Sequence, residues 1–258
     1  MRNTETDNNI LNILYEDKEL IVCHKKAGIP VQSARLGQKD MVSILNNYLA
    51  EKGETPAINV VHRLDQPVEG VLVFAKTKRA AAELGKQIRQ GTVKKIYRAV
   101  CCVQERGMLF PGAENPKEAM VYRLEDYLVK DGRTNTSSVC DRETKDAKRA
   151  ELSFRVAGRA AVGEREYILA DIELKTGRHH QIRVQMAHAG LPLYGDQKYN
   201  GQWQQFGIPD GKCESERDGI NAPNGLALCA VSLTFRHPSS GKQMKFETEP
   251  SSEIFRMF

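Results

Sequence analysis

The distribution of apolar residues predicts several short strands in the first hundred residues. Residues 10–15 and 20–24 are β-prone runs separated by the turn-forming Glu16-Asp17-Lys18, and this pattern predicts a hairpin. Residues 58–61 and 71–75 are apolar runs rich in β-branched side chains, which favour strands. A further strand is predicted over residues 93–103.

Helical spacing of apolar residues appears in three places. Asp40 can cap a helix that Gly53 ends, and Thr77 can cap a second helix that Gly91 closes. Residues 178–189 predict a third helix, ended by Gly190.

The second half of the chain is predicted to be mostly strands. They are expected over residues 119–124, 151–156, 167–174, 226–235 and 244–247, with the last two forming a hairpin. Residues 130–148 are polar and charged, and residues 199–225 are dense in Gly, Pro, Asn and Gln, so both segments are predicted to be irregular loops. Strands outnumber helices without regular alternation. The predicted fold is therefore α+β, a mixed, largely antiparallel sheet with flanking helices.

Composition narrows the class of protein. The chain has 258 residues, 40% of them hydrophobic, which suffices for one large domain with a real core. Its net charge of +5 suits a polyanionic partner without requiring one. The six cysteines form no C-x-x-C pair, and no apolar run approaches the roughly 20 residues that span a bilayer. We expect a reduced, cytoplasmic protein with no membrane contact.

A compact polar segment, His62-Arg63-Leu64-Asp65-Gln66-Pro67-Val68-Glu69-Gly70, separates the apolar runs at 58–61 and 71–75. Arg63 supplies a cation near Asp65, and a guanidinium opposes the desolvation that would otherwise raise the pKa of a buried aspartate. An ionised, poorly hydrated carboxylate can act as a nucleophile or base. Taken alone, the segment is also compatible with a surface ion pair or a turn cap.

Several separated segments, in a fixed order, carry a family resemblance. They are Val-Val-His-Arg-Leu-Asp at 60–65 with 70–76, Lys-Lys-Ile-Tyr-Arg-Ala-Val at 94–100, Leu-Lys-Thr-Gly-Arg-His-His-Gln-Ile-Arg-Val at 174–184 with 190–196, and 226–235 followed by His237-Pro238. Together they resemble the RNA pseudouridine synthases that include RluA, RluC and RluD. The likeness extends from about residue 14 to near the C-terminus.

The resemblance implies roles for individual residues. Asp65 would be the catalytic aspartate, Tyr97 the ring that stacks on the target base, and Arg183 the ion-pair partner of Asp65. Arg63 would help to displace the target nucleotide from its stack. An enzyme that alters a base must turn it out of the helix, and an aromatic face with a cation can replace the lost stacking. Without the resemblance, Tyr97 reads as a half-buried strand tyrosine and Arg183 as a solvated helix arginine.

Basic residues are concentrated between Lys76 and Arg98, where eight cations face the single acid Glu83. We expect this cluster to contact RNA phosphates, although a solvated helix face is the alternative. The residues expected to bind substrate are Arg63, His62, Arg178, His180, Lys95 and Lys76. The RNA is ribosomal or transfer RNA, and the sequence does not distinguish them.

The implied reaction breaks the bond between ribose C1′ and uracil N1, rotates the base and joins C1′ to C5. Asp65 would attack C1′ or remove the C2′ proton to give a glycal, and both routes remain open. Neither requires a cofactor. His179, His180 and His188 lie close in sequence but show no H-E-x-x-H pattern, so no metal is expected.

The sequence departs from the family pattern at three places. Val68-Glu69 stands where Thr-Ser is common, Gln185 where histidine is frequent, and Lys26 where a proline is usual. The alternative function is therefore a catalytically weak or inactive RNA-binding protein that retains the fold. A nucleoside hydrolase, which would release free uracil, is a third possibility.

The expected organisation is one catalytic domain over residues 1–258. No S4-like RNA-binding domain is expected, because the first predicted strand already starts at residue 10. The protein is expected to be a monomer.

Overall fold

The structure, a computed structural model, describes residues 11–35, 37–104, 120–201 and 225–258. Its strands are β1 (Asn12–Glu16), β2 (Leu20–Lys25), β3 (Asn59–Val60), β4 (Glu69–Ala75), β5 (Lys94–Cys102), β6 (Tyr122–Asp131), β7 (Thr136–Cys140), β8 (Lys148–Val162), β9 (Arg165–Leu174), β10 (Leu228–Arg236) and β11 (Gln243–Glu247). Its helices are α1 (Met41–Glu51), α2 (Lys78–Arg89), α3 (Gln181–His188) and a C-terminal 3₁₀ helix, Glu253–Met257. This is the expected α+β class.

The chain divides into two compact units. The first comprises residues 1–95 and 230–249, and the second comprises residues 96–229 and 250–258. In the first unit the strand order is β1-β2-β4-β10, with β11 paired to β10 and β3 paired to β4. The pairs β1–β2, β2–β4, β3–β4 and β10–β11 are antiparallel, and both predicted hairpins are confirmed.

Helix α2 covers one face of the sheet in the first unit. All seven residues of β4 are buried, as expected for an interior strand. The core on this face consists of Leu20, Val22, Val71, Val73, Ala75, Ala80, Leu84, Leu233 and Phe235. The predicted caps of the first two helices are confirmed, because the Asp40 side chain accepts from Ser43 N at 2.7 Å and Thr77 Oγ1 accepts from Ala80 N at 3.1 Å.

The second unit contains the strand order β5-β9-β8-β6-β7. All four neighbouring pairs in this order are antiparallel. One of its cores combines strand residues with the C-terminal 3₁₀ helix, and it contains Val100, Tyr167, Leu169, Tyr194, Ala227 and Ile254. Helix α3 contacts β6 and β7.

Two predicted boundaries differ from the structure. Residues 130–148 were predicted to be a loop, but β6 extends to Asp131 and pairs with β7, so that prediction is wrong over residues 136–140. Polar Thr and Ser residues form an edge strand here because backbone pairing does not require apolar side chains. The predicted third helix begins at Gln181 because His180 has a left-handed φ of 52°. Most of the predicted loop at 199–225 lies outside the described residues. The expectation of one catalytic domain over residues 1–258 stays a prediction.

A buried lysine joins two turns of the first unit. Lys25, the last residue of β2, is 0% exposed, and its Nζ donates to Lys26 O at 3.0 Å, Ile29 O at 2.8 Å and Gln66 O at 3.0 Å. Gly28 N also donates to Gln66 O at 2.9 Å. Burial lowers the pKa of Lys25 to about 8, and the carboxylates of Asp65 and Glu69 oppose this shift. The turn after β2 and the turn before β4 are thereby connected through one ammonium group.

Gly70 permits a close approach between two strands. Its φ is +127°, and a Cβ at this position would lie 2.4 Å from Ala230 O. An L-residue would therefore combine a strained backbone with a backbone clash that no side-chain movement relieves.

Replacing Gly70 with alanine should destabilise the protein by about 3 kcal/mol or more, from overpacking and backbone strain together. Gly132→Ala is the matched control, because nothing lies within 4 Å of a Cβ there. Thermal unfolding monitored by circular dichroism measures both variants. Equal melting temperatures for the two variants would contradict the packing described here.

Lys25→Met should destabilise the protein by about 2 kcal/mol at neutral pH, because buried carbonyl oxygens lose their donor. Lysine in the unfolded chain has a pKa of about 10.4, and the folded value is about 8. The unfolded state therefore binds the extra proton between these values, and the stability of the native protein should rise relative to the variant as pH increases through that window. Urea titrations at several pH values measure the difference, and a flat or falling difference would be the contrary result.

Candidate active site

Asp65 lies on a tight turn between two buried anchors. The segment 61–68 contains no strand and connects β3 to β4, between the two apolar runs of the sequence. Leu64 and Val68 are buried on either side, and Val68 N donates to Asp65 O at 3.0 Å. Pro67 restricts the backbone of this turn. Asp65 itself is half-buried, so its carboxylate is positioned by its neighbours and remains partly accessible.

The cation that the first unit brings to Asp65 is Lys25, not Arg63. The charge of Asp65 acts on the pKa of the buried Lys25 ammonium. Arg63 is exposed, and within the described part of the chain its side chain makes no ion pair or hydrogen bond. Our expectation that Arg63 balances Asp65 is therefore not supported. The sequence held one weak signal for Lys25, namely a charged residue directly after the apolar run of a predicted strand.

Glu69 is one of the residues at which the sequence departs from the family pattern, and its negative charge would repel an RNA substrate. The residue is buried. Its Oε2 lies 3.7 Å from His24 Nε2, and His24 Nδ1 lies 2.8 Å from Thr248 Oγ1. The Glu69 carboxylate also raises the pKa of Lys25 against the effect of burial. The Glu69 carboxylate is thus held among interior groups, His24 and the Lys25 ammonium.

His62 supports β4 through its imidazole. Its Nε2 accepts from Val73 N at 3.2 Å, which leaves the proton on Nδ1. Burial, assisted by the charge of Lys95, lowers the pKa of His62 to about 3, so the ring is neutral. Contact with substrate through Nε2 is incompatible with this hydrogen bond.

Two lysines of the predicted phosphate-binding cluster, Lys76 and Lys95, make contacts inside the protein. The side chain of Lys76 is 9% exposed, and its Nζ lies 3.0 Å from Glu16 Oε1 and 2.5 Å from Glu54 Oε2. Two carboxylates already neutralise Lys76, which disfavours a phosphate contact by this residue. Lys95 is half-buried, and burial lowers its pKa.

Arg183 of α3 belongs to a buried ion pair and is not the solvated arginine that its position in a predicted helix first indicated. Its Nε and Nη2 donate to the two oxygens of Asp196 at 2.8 and 2.7 Å, and the residue is only 5% exposed. The guanidinium Cζ lies 5.0 Å from the centre of the Tyr199 ring. The pair with Asp196 uses two guanidinium N–H donors in a bidentate arrangement, which fixes the orientation of the group.

A hydrogen-bond chain fixes the start of α3. Ser137 N donates to the Tyr199 hydroxyl at 2.8 Å, and that hydroxyl lies 2.7 Å from His180 Nδ1. Burial, followed by the nearby Arg183 charge, lowers the pKa of His180 to about 3. The neutral ring therefore shares a hydrogen bond with the Tyr199 hydroxyl through Nδ1. His179 stacks on it with ring centroids 3.8 Å apart. His180 thus shapes the helix terminus and presents no cation to a substrate.

The remaining predicted residues also lie in the second unit. Tyr97 is buried on β5, opposite Ile172 of β9. Arg178 is exposed, and its Nε donates to Arg149 O at 2.9 Å. Gln185, which stands where histidine is frequent in the family, is buried and donates to Asp126 Oδ2 at 2.8 Å. That residue therefore connects α3 to β6.

Two kinds of feature are absent among the described residues, a metal-binding cluster and a membrane-spanning helix. Within the described ranges, no group of three or more His, Cys, Asp or Glu side chains is arranged to bind a metal ion. None of the described helices is both long and apolar enough to cross a bilayer.

Comparisons with known proteins place the chain in a family. Residues 19–188 match the family described as RNA pseudouridylate synthase. Ribosomal large subunit pseudouridine synthase D of Vibrio cholerae is 31% identical over 248 residues, covering 96% of this chain and 69% of that protein. Ribosomal large subunit pseudouridine synthase C of Buchnera aphidicola is 31% identical over 245 residues, covering 93% of this chain and 68% of that protein.

Solved structures show the same fold. Human RNA pseudouridylate synthase domain containing 1 aligns with a TM-score of 0.67 at 19% identity, covering 97% of this chain and 86% of that one. Human RNA pseudouridylate synthase domain containing 4 aligns with a TM-score of 0.65 at 22% identity, covering 98% and 92%. The chain therefore belongs to the RNA pseudouridylate synthase family, whose reaction is the isomerisation of uridine to pseudouridine in RNA.

Proposed function

We propose that this protein isomerises specific uridines of ribosomal RNA with Asp65 as its catalytic carboxylate, acting in the cytoplasm as a monomer. Transfer RNA is the second candidate substrate. Relatives named for the large ribosomal subunit support the choice of ribosomal RNA. The observation that carries the proposal is the position of Asp65, on a turn closed by Val68 and tied to the buried ammonium of Lys25.

The proposed chemistry needs one carboxylate. Asp65 either attacks ribose C1′ as the C1′–N1 bond breaks, or removes the C2′ proton to give a glycal. In both routes the uracil anion is retained and rotates. C5 then bonds to C1′, displacing Asp65 from C1′ in the first route and with return of the proton to C2′ in the second. The C5 proton is finally lost and N1 is protonated. The Lys25 ammonium favours the ionised form of a carboxylate near it, and that is the form both routes require.

Four further residues have proposed roles, which rest on the family resemblance and on the local surroundings of each residue: Arg183, Tyr97, Arg63 and Arg178. Arg183 is proposed to pair with Asp65, supported by its rigid bidentate attachment to Asp196. Tyr97 is proposed to stack on the target base. Arg63 is proposed to displace the target nucleotide, supported by its exposure and its lack of an intramolecular partner within the described residues. Arg178 is proposed to contact the RNA backbone.

Asp65→Asn should reduce pseudouridine formation by about 1,000-fold or more, because the amide is neither a nucleophile nor a base. RNA binding should be retained, since the substitution removes no cation. Asp141→Asn, at an exposed aspartate, is the control and should retain full activity. Tritium release from transcripts labelled at uridine C5 measures the reaction. Undiminished release by Asp65→Asn would refute the proposal, and free uracil as the product would indicate a hydrolase.

Asp196→Asn should lower kcat by about 10-fold to 100-fold with little change in KM, because Arg183 loses the partner that orients it. Asp171→Asn is the matched control, since Asp171 pairs with Arg98 and Arg155 in the same unit. Removing one partner of the buried Arg183 pair also costs about 3–5 kcal/mol, so folding is checked by thermal unfolding before the rates are compared. Partial recovery of kcat in Asp196→Glu would support positioning, whereas equal losses in both Asn variants would indicate a general loss of stability.

A further inference from the structure

Helix α2 presents four cations on its exposed side. At 100° per residue, Lys78, Arg79, Lys86 and Arg89 lie within about 100° of arc, and we call these four residues the basic face. The buried residues Ala80, Leu84 and Gln87 lie on the opposite side of the helix. The only acid of α2, Glu83, accepts a hydrogen bond from Gln87 at 3.3 Å. The basic face therefore contains no negative charge of its own.

Most of the basic face is not used in intramolecular ion pairs. Arg79 contacts Glu19 and Ser239. Within the described parts of the chain, Lys78, Lys86 and Arg89 have no carboxylate partner. Lys76, just before the helix, shows the contrast, because it is enclosed by two carboxylates. The structure thus separates this basic segment into cations that stabilise the fold and cations left exposed to solvent.

Helix stability does not account for the N-terminal half of the basic face. Lys78 and Arg79 occupy the first turn, where the helix dipole disfavours positive charge, and that turn contains no acid. Lys86 and Arg89 lie in the last turn, where the dipole favours them. Glu19 offsets this cost at Arg79, whereas at Lys78 an external polyanion would offset it.

The chain that follows α2 returns to the neighbourhood of the segment that carries Asp65. After α2 the chain returns through exposed Lys94 to Lys95, whose charge contributes to lowering the pKa of His62. His62 directly precedes Arg63 and is three residues from Asp65. The distance along the helix axis from Lys78 to Arg89 is about 16 Å, enough to follow several nucleotides of a strand.

We propose that the basic face binds the phosphates of the RNA strand flanking the target uridine. This inference rests on the proposed function and refines it, because it assigns the backbone contacts to Lys78, Lys86 and Arg89 instead of Lys76 and Lys95. Phosphate contacts of this type fix the register of the RNA without reading its sequence.

The test compares two triple variants with equal change of charge. The face variant is Lys78→Gln, Lys86→Gln and Arg89→Gln, and glutamine preserves helix propensity. The control is Arg133→Gln, Arg142→Gln and Lys145→Gln, at exposed positions of the second unit. Binding of an unmodified large-subunit ribosomal RNA transcript is measured over a range of salt concentrations. Circular dichroism confirms that both variants fold.

The face variant should bind about 100-fold more weakly near 0.1 M salt, and the slope of log K against log salt should fall by about 2. The control should retain most of the wild-type affinity and slope. Wild-type binding by the face variant, or equal losses in both variants, would overturn the inference.

Activity assays separate this inference from the proposed function. At saturating RNA the face variant should isomerise uridine with the wild-type kcat, because none of its substituted residues has a part in the chemistry. If the wild-type protein binds RNA through this face but forms no pseudouridine, the proposed function fails while the assignment of the face stands. If the wild-type protein is active and the face variant binds normally, only the assignment fails.

Discussion

The candidate site in the first unit depends on the hydrogen bonds and charge interactions of the buried Lys25 ammonium. Burying a lysine is costly unless acceptors and counter-charges compensate for the lost water, and here three backbone carbonyls and two nearby carboxylates supply that compensation. One of the carbonyls belongs to Gln66, the residue after Asp65. The position of the proposed catalytic aspartate is therefore determined by a buried cation as much as by its own turn.

The second unit uses the same principle with a different cation. Arg183 is enclosed by Asp196 and the Tyr199 ring, while Tyr199 also receives Ser137 N–H and contacts His180. Each polar group in this network has a defined partner, which is the condition for a buried polar network to be rigid. A rigid guanidinium can contribute directional hydrogen bonds without losing side-chain entropy each time it binds.

Much of the fold could be predicted because helices and hairpins leave local signals. Asp40, Thr77 and the glycines that follow marked the first two helices, and apolar runs rich in β-branched residues marked the strands. The third helix was placed three residues early, because a left-handed residue such as His180 has no sequence signature unless it is glycine or asparagine. Strand β7 was missed because its pairing with β6, and not its side chains, makes it a strand.

The candidate site was predictable only in part. The motif containing Asp65 identified the turn, since the resemblance specified it residue by residue. Partners distant in sequence could not be read in the same way: Lys25 meets Gln66 across 41 residues, and Lys76 meets Glu16 across 60. Whether a basic residue faces solvent or an acid depends on such long-range contacts. The sequence therefore did not distinguish Lys76, which pairs with acids, from the exposed cations of α2.

The neutral imidazoles of His62 and His180 affect how the hydrogen bonds of β4 and α3 depend on pH. Histidine is the residue by which proteins ordinarily respond to acidification, because its charge normally changes near neutrality. With pKa values of about 3, both rings keep their hydrogen bonds to Val73 and Tyr199 throughout the range that cells experience. The hydrogen bonds that these two rings make to β4 and at the start of α3 are consequently independent of imidazole protonation near neutral pH.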